Sequence, residues 1–348
     1  MKNYYHIFQI YEYFCYQIKP FKHTYMKRRD FITKGIAAGA TLSASHSLLA
    51  NTEYADNAKN DISTVSNKPI ISQKQDLPIF WEDLTAPDFR TAVDKAGGVC
   101  IIPIGVYEKH GPHLPLGTDV IRAKEMCRRA AIMEYCIVYP DFYFGQILEA
   151  KHQPGTIAYS TELMLKVLDE TCKEIARNGL KKIILVNTHG GNNSLLPYFL
   201  QIQLERPCDY ATFLMQFRES KEIEEKIKSL RKSTTGGHAD EIETAEMIAI
   251  RAETVRMDQV ASESGRDLNR LNLPNLNTGI SWYSRYPNHY AGQADGATAQ
   301  LGEVRLEARS RQLADSIKAL KADKVTLQLQ NEFFKHSQSP LTTPKWDQ

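Results

Sequence analysis

Short apolar runs alternate with longer amphipathic segments between residues 81 and 204. Two of these runs, at 99–104 and 182–186, consist mainly of branched apolar residues, and a shorter one lies at 136–139. Runs of this length are typical of strands buried on both faces. The intervening segments have the 3.6-residue repeat of helices that bury one face. The predicted helices cover residues 81–95, 119–133, 161–178 and 193–204.

The helix at 161–178 is the most clearly defined. Its apolar residues recur at helical spacing, and Asn178-Gly179 supplies a stop. Further helices are predicted at 242–250 and 301–321. Strands that alternate with helices predict an α/β fold, here a three-layer α/β/α arrangement with a mostly parallel sheet. We assign this domain to residues 80–325.

Both ends of the chain differ in composition from this domain. Residues 51–79 are rich in Asn, Ser, Asp and Lys, which predicts a flexible linker. Residues 326–348 are polar and rich in Pro and Thr, which predicts a mobile polar tail.

A twin-arginine pattern, Arg28-Arg29, lies within residues 26–34, and a mildly apolar stretch at 35–49 ends at Ala50. This order predicts a Tat export signal at 26–50, cleavage near Ala50, and a periplasmic protein without a membrane anchor. The alternative is a surface arginine pair before a short amphipathic helix. Residues 1–25 are rich in Tyr and Phe and fit neither signal nor domain. Our hypothesis is that Met26 is the true start.

Composition excludes several classes of partner. The chain has 43 Lys and Arg against 41 Asp and Glu, with no basic block interleaved with aromatic residues, so nucleic acid is not an expected partner. No long apolar run follows the N-terminal region, so no spanning helix is expected there. None of the six cysteines forms a C-x-x-C pair, and most are expected to be buried apolar side chains with no assigned disulfide.

Candidate chemistry is concentrated directly after the first predicted strand. Glu108, His110, His113 and Asp119 lie in one short segment that Gly and Pro residues stiffen. Imidazole nitrogen and carboxylate oxygen together suit divalent cations. Alternation places Glu108 and His110 on one side of an extended segment, and the turn residues allow Asp119 to join them. The alternative is an Asp119 that caps a helix and a surface His110.

Four motifs follow one another in residues 81–322: Glu108-x-His110-Gly-x-His113 with Asp119, Pro154-Gly-Thr156 after His152, Asn187-Thr-His189-Gly-Gly191-Asn192, and His238-Ala-Asp-Glu241-Ile-Glu243-Thr244. In this order they resemble the motifs of the creatininase (creatinine amidohydrolase) family. Their shared order makes the resemblance more specific than any one motif.

The resemblance implies an amidohydrolase with two divalent ions per subunit, of Zn, Mn or Fe. Asp119 would bridge the ions, Glu108 would serve one and His110 the other, and His189 would be a further ligand. A metal-bound hydroxide would attack the carbonyl of a small amide, lactam or formamide substrate. His238 would donate a proton to the leaving nitrogen or stabilise the oxyanion. A ring-like homo-oligomer is also implied.

Two departures from creatininase itself matter. An acidic residue that completes its second metal site is replaced here by Gly191. Glu241 and Glu243, which follow His238, are the candidate replacements for that acid. We favour Glu243, either as a metal ligand or as a residue that orients a ligand. For Glu241, a role in the site and a role as an acidic residue at the start of a helix fit equally well. Creatininase also has a tryptophan shortly before the position of His238, where this chain has no aromatic residue. We therefore expect another small amide as substrate rather than creatinine.

His113 and His152 are weaker candidates, each either lining the pocket or serving a structural role. An aromatic loop, which we define as residues 282–290, contains Trp282 and His289 and is either a lid over the pocket or simple packing.

Two further functional hypotheses remain. One is a peptide-processing metallohydrolase of the same family, and the other is a non-catalytic periplasmic binding protein, which Gly191 favours. The sequence contains no G-x-S-x-G, H-E-x-x-H, P-loop or G-x-G-x-x-G motif that would indicate a different catalytic class.

Overall fold

The computed structural model describes residues 77–346. Four strands form one parallel sheet in the order β2-β1-β3-β4, with Ile104 at the end of β1 opposite Asn187 at the end of β3. The strands are β1 (Val99–Ile104), β2 (Ile137–Val138), β3 (Lys182–Asn187) and β4 (Ala211–Leu214). The carboxyl ends of β1 and β3 therefore lie side by side.

Helices precede and follow these strands along the chain. They are α1 (Ala86–Lys95), α2 (Thr118–Met133), α3 (Thr161–Arg177), α4 (Asn192–Ile202), α5 (Lys221–Leu230), α6 (Glu241–Arg251), α7 (Ser281–Arg285), α8 (Ala299–Ala322) and α9 (Thr326–Ser337). Short 3₁₀ segments occur at Trp81–Asp83, Leu148–Ala150, Gln203–Glu205, Ala252–Thr254, Met257–Ser262 and Pro340–Thr342.

Alternate residues of the central strands enter two separate cores. Cys100 and Ile102 pack with apolar residues of α1, α3 and α4 on one face of the sheet. Ile101 and Ile184 pack with residues of α2 and α8 on the other face. Side chains alternate across a strand, so the continuous apolar runs supply both cores. The predicted three-layer α/β/α fold with a parallel sheet is confirmed.

The predicted helix at 81–95 is divided in the structure. Its first part is the 3₁₀ turn Trp81–Asp83, and α1 begins only at Ala86. The Thr85 side chain accepts the Asp88 N–H at the start of α1, and Pro87 lies in the first turn. A side-chain N-cap followed by proline is a strong local start signal, which the apolar repeat alone does not show.

Several elements do not follow from the sequence patterns. The four-residue β4 and the helices α5 and α7 were not predicted. The segment 326–348, expected to be a mobile polar tail, contains α9 at Thr326–Ser337. Phe334 is buried, and the Gln330 amide donates to the Tyr210 carbonyl beside β4. Tertiary contacts of two side chains therefore order a segment whose average composition is polar.

The predicted mis-start at 1–25 and signal at 26–50 lie outside the described residues, as does the linker except for 77–79. That last piece is packed: the Val138 N–H donates to the Ile79 carbonyl at 2.8 Å. The five cysteines within 77–346 are free thiols, four of them buried. In the same range, no helix is both long and apolar enough to cross a membrane.

Candidate metal centre

The site is built where β1 and β3 end. The chain after β1 carries Glu108 and His110, and His189 follows β3 by two residues. Asp119 lies in the first turn of α2. The Thr188 hydroxyl donates to the Asp119 carbonyl at 2.8 Å, which ties the end of β3 to the start of α2. Open α/β sheets commonly place their sites at this edge.

Glu108, Asp119 and His189 form a first group of potential ligand atoms. His189 Nδ1 lies 2.7 Å from Glu108 Oε1 and 2.9 Å from Asp119 Oδ2. Both of these oxygens are buried and lack a partner in hydrogen-bond geometry. Three donor atoms therefore converge without satisfying one another, which is the arrangement a cation would complete.

His110, Asp119 and Glu243 form a second group. His110 Nε2 lies 3.2 Å from Asp119 Oδ1 and 3.9 Å from Glu243 Oε2. Asp119 thus directs one oxygen to each group. The structure brings together all five residues that were predicted as ligands, with Asp119 in the shared position.

Backbone carbonyls select the tautomers of the two ligand histidines. His189 Nε2 lies 2.7 Å from the Gln146 carbonyl, and His110 Nδ1 lies 3.3 Å from the Glu108 carbonyl. A carbonyl only accepts, so these nitrogens carry the ring protons. In the neutral form of each ring, the opposite nitrogen has a lone pair that faces the carboxylates, as metal coordination requires.

Carboxylates surround the two candidate ligand histidines. Burial would lower the pKa of His110, but Asp119, Glu108 and Glu243 outweigh burial and raise this pKa to about 9. The pKa of His189 is raised well above its ordinary value by Glu108 and Asp119, again against the effect of burial. Carboxylates this close favour positive charge, and divalent ions supply it.

Gly191 is explained by space rather than by loss of the second group. A Cβ on Gly191 would lie 2.5 Å from both the Gln146 carbonyl oxygen and His189 Nε2. The bond between those two atoms occupies the place of a side chain. Glu243 completes the second group from α6, held by the Ala239 N–H at 2.7 Å and Arg122 Nη1 at 2.7 Å.

His238 lies beside both groups that share Asp119, and it forms a third cluster of potential ligand atoms with Glu108 and His110. Its Nε2 is 2.9 Å from the Lys109 carbonyl, so Nε2 donates and Nδ1 keeps a lone pair. The His238 ring is 4.3 Å from the His110 ring, and Nδ1 is 3.9 Å from Glu243 Oε2. Burial lowers the pKa of His238 below its ordinary value. The imidazole is therefore placed to exchange a proton at Nδ1.

Three residues considered as possible pocket residues are not among those that line the cavity at this site, and each makes a contact that fits the structural alternative. His113 is buried and contacts the Thr244 hydroxyl at 2.8 Å, where burial lowers its pKa to about 4. His152 contacts the Pro287 carbonyl at 2.8 Å. Glu241 turns away from Glu243 and accepts the backbone N–H groups of residues 232 and 233. Residues two apart on a helix point in different directions, which is why only one of the two acids reaches the site.

Sequence reasoning missed the part played by Arg122 and His289. Arg122, on α2, binds two carboxylates of α6, Glu243 and the buried Glu246. The only sign of this role in the sequence is that Arg122 lies on the same helix face as Asp119. His289 contacts Glu108 Oε2. It was noted only as part of the aromatic loop, because nothing local in the sequence links it to residue 108.

A cavity of about 800 Å³ opens onto these groups, a size typical of small-molecule sites. Glu108, Asp119, His189, His238 and Glu243 line it on one side. The remaining wall includes Phe217, Trp282, His289, Arg305 and Arg309.

This fold and site define a class: α/β proteins with two acid–imidazole metal-ligand groups at the carboxyl edge of a parallel sheet. A family model described as creatinine amidohydrolase matches residues 82–317. The chain belongs to the creatininase family.

Several relatives are similar over parts of the chain. A creatinine amidohydrolase of Pseudomonas putida is 26% identical over 138 residues, 38% of this chain and 53% of that protein. A 3-dehydro-scyllo-inosose hydrolase of Thermotoga maritima is 24% identical over 256 residues, 66% of this chain and 79% of that protein. A mycofactocin precursor peptide peptidase of Mycobacterium tuberculosis is 32% identical over 102 residues, 26% of this chain and 40% of that protein.

Solved structures share the fold. A manganese form of creatininase and a Zn-Zn form of a creatininase mutant each have a TM-score of 0.61, with 20% identity. Each match covers 70% of this chain and 99% of the solved chain.

Proposed function

We propose that this protein is a metal-dependent amidohydrolase that cleaves the C–N bond of a small amide, lactam or formamide. The observation that carries the proposal is Asp119, which directs one carboxylate oxygen to each of two ligand groups beside His238. The family membership and the creatinine amidohydrolase relative support the same reaction class.

The donor set would suit two divalent ions: Glu108, Asp119 and His189 would hold one, and His110, Asp119 and Glu243 would hold the other. We propose Zn or Mn, which the similar creatininase structures contain. When bound, such ions lower the pKa of water and polarise a substrate carbonyl.

The chain's own residues supply positioning and proton transfer. His238 is held by the Lys109 carbonyl at Nε2, so its Nδ1 accepts or delivers the proton that the departing nitrogen needs. Arg122 and the Ala239 N–H fix Glu243 beside His238. These bonds preorganise the site before substrate enters it.

A peptide-processing hydrolase is the second candidate. The mycofactocin precursor peptide peptidase matches this chain at 32% identity over 102 residues, which supports a peptide bond as the target. A cavity of about 800 Å³ accommodates either a small amide or the end of a short peptide.

The first test is the metal content of protein purified without chelator. We expect about two Zn or Mn ions per subunit and chelator-sensitive hydrolysis in a panel of amides, lactams, formamides and short peptides. Turnover confined to the peptides would select the second candidate. No metal uptake after incubation with Zn²⁺ or Mn²⁺ would contradict the proposal and favour a non-catalytic binding protein.

We also propose that the protein is exported to the periplasm by the twin-arginine route. The Arg28-Arg29 pattern and the apolar stretch after it support this. Replacing both arginines by lysine should leave the protein in the cytoplasmic fraction. Periplasmic recovery of that variant would contradict the route.

A homo-oligomer remains a proposal drawn from the family. Light scattering coupled to gel filtration gives the mass of the assembly directly, and a monomeric mass of the metal-loaded protein would contradict it.

A further inference from the structure

His289 connects the candidate metal centre to the aromatic loop, although it belongs to neither ligand group. Its side chain is 2% exposed, and Nε2 contacts Glu108 Oε2. On the other side of the ring, Nδ1 lies 3.0 Å from the indole nitrogen of Trp282. Trp282, His289 and Glu108 thus form a continuous chain of polar contacts.

The direction of these hydrogen bonds follows from their chemistry. An indole N–H only donates, so His289 Nδ1 accepts with its lone pair and the ring proton lies on Nε2. His289 Nε2 therefore donates to Glu108 Oε2. Removing the indole N–H would allow the proton to move to Nδ1, and His289 would then lose its donor toward Glu108.

The contact with His289 gives the two carboxylate oxygens of Glu108 different surroundings. Oε2 is held by His289, while the buried Oε1 lacks a hydrogen-bond partner and lies 2.7 Å from His189 Nδ1. A bond to one oxygen fixes the rotation of the carboxylate. The free oxygen is therefore aimed at the position shared with His189 and Asp119.

The backbone of His289 is also constrained. Its φ is 51°, in the left-handed region that is uncommon for residues other than glycine. The His289 N–H donates to the Tyr286 carbonyl at 3.0 Å, and its carbonyl accepts the Gly111 N–H at 3.1 Å. A strained backbone conformation persists only where the surrounding structure holds it, and such residues are concentrated at functional sites.

We propose that His289 and Trp282 are positioning residues for the ion held by Glu108, Asp119 and His189. Trp282 fixes the tautomer of His289, and His289 orients Glu108. This inference rests on the proposed metal-dependent function. It adds two residues that are not ligands but that orient one, through the contacts from Trp282 to His289 and from His289 to Glu108.

The test is the affinity of each site for Zn²⁺ alone, measured by competition with a chromophoric chelator. We expect His289→Ala to weaken one of the two sites by about 10- to 100-fold, the usual effect of losing a partner of a ligand, and to leave the other unchanged. His289→Gln retains an N–H donor and should recover part of that loss. Trp282→Phe should weaken the same site, while Tyr283→Phe, a matched change on α7, should not.

A double variant separates the tautomer effect from packing. The Gln amide has no ring tautomer, and its nitrogen always carries protons, so Trp282→Phe should cause a clearly smaller loss when His289→Gln is already present than in the protein with His289. An equal loss from Trp282→Phe in both backgrounds would show that the indole acts only by packing, and would overturn the inference.

The inference and the proposed function fail in different ways. Unmodified protein that takes up no Zn²⁺ contradicts both. Unmodified protein that takes up two ions, together with unchanged affinities in His289→Ala, contradicts only the role of His289. Far-UV circular dichroism of each variant confirms that the affinities compare folded proteins, and His289→Gln and Trp282→Phe carry the test if His289→Ala does not fold.

Discussion

Backbone carbonyls determine how the site's histidines can act. The Gln146, Glu108 and Lys109 carbonyls each face one ring nitrogen, of His189, His110 and His238 respectively. The other nitrogen of each ring is left free for a cation or a proton. The sequence predicts which histidines matter, but the free nitrogen depends on carbonyls that only the folded chain brings into place.

Asp119 is the residue whose loss should have the broadest effect. Asp119→Ala removes one oxygen from each ligand group, so we expect hydrolysis to be abolished and metal content to fall at both sites. Elemental analysis and substrate turnover measure the two effects. Unchanged metal content would show that the ligand assignment is wrong.

His238 should affect turnover without affecting metal binding. His238→Ala removes the free Nδ1 but leaves both groups that share Asp119, so we expect two ions per subunit and a fall in kcat of about 10²- to 10⁴-fold. Kinetics on metal-loaded protein, with metal content as the control, tests this. If the variant loses an ion instead, His238 is a ligand.

Gly191 offers a prediction with a neighbouring control. In Gly191→Ala the new Cβ would lie 2.5 Å from His189 Nε2 and from the Gln146 carbonyl, so their hydrogen bond should be lost and Zn²⁺ affinity lowered by about 10-fold or more. Gly190 has no atom within 4 Å of such a Cβ. Gly190→Ala should therefore bind Zn²⁺ normally, and equal losses would refute the explanation of Gly191.

Three helices are joined by buried charges behind the site. Arg122 of α2 lies 2.6 Å from Glu246 of α6, and Arg305 of α8 contacts the same carboxylate at 2.7 Å. Arg122 also binds the candidate ligand Glu243. The network therefore positions a site residue and fixes the packing of the elements that carry it.

Breaking this network should destabilise the whole fold. Arg122→Met leaves Glu246 buried with one partner fewer, and removing one member of such a pair costs about 3–5 kcal/mol. Urea unfolding measures the loss. Arg128→Met, on the same helix but in a partly exposed pair with Glu125, should change stability by about 1 kcal/mol or less. Similar losses in both variants would contradict this explanation.

Predictability from the sequence differed among elements. The long apolar and amphipathic segments gave β1, β3, α3 and α8 within one or two residues, because both faces of the central strands and one face of each helix are buried. The short β4 and the polar α9 depend on neighbours distant in the chain, such as Gln330 against Tyr210. The ligand set followed from ordered motifs, whereas Arg122 and His289 reach it only through tertiary packing.

The stability of the whole molecule should depend on pH through Glu246. Burial would raise its pKa, but Arg122, Arg305 and Arg309 lower it to about 2. The native state then binds fewer protons than the unfolded state between this pKa and the ordinary pKa of a glutamate. The stabilising contribution of Glu246 is therefore fully present above about pH 4.5, and about 3 kcal/mol of it is lost as the pH falls toward 2.

The measurement is urea unfolding from pH 7 to pH 2.5 with chelator present. The difference in stability between unmodified protein and Glu246→Gln should be constant above about pH 5 and shrink below it. A difference that does not change with pH would show that the carboxylate charge is not what stabilises this network.

The ligands of each proposed ion come from segments far apart in the chain: Asp119 at the start of α2, His189 after β3 and Glu243 in α6. Bound ions would therefore act as reversible cross-links between the segments that follow β1 and β3 and the helices α2 and α6, and would bind the native state but not the unfolded chain. When the free metal concentration is 100 times the dissociation constant of a site, binding at that site adds about 2.7 kcal/mol to the free energy of unfolding. Resistance of this protein to unfolding would then track the free metal concentration around it.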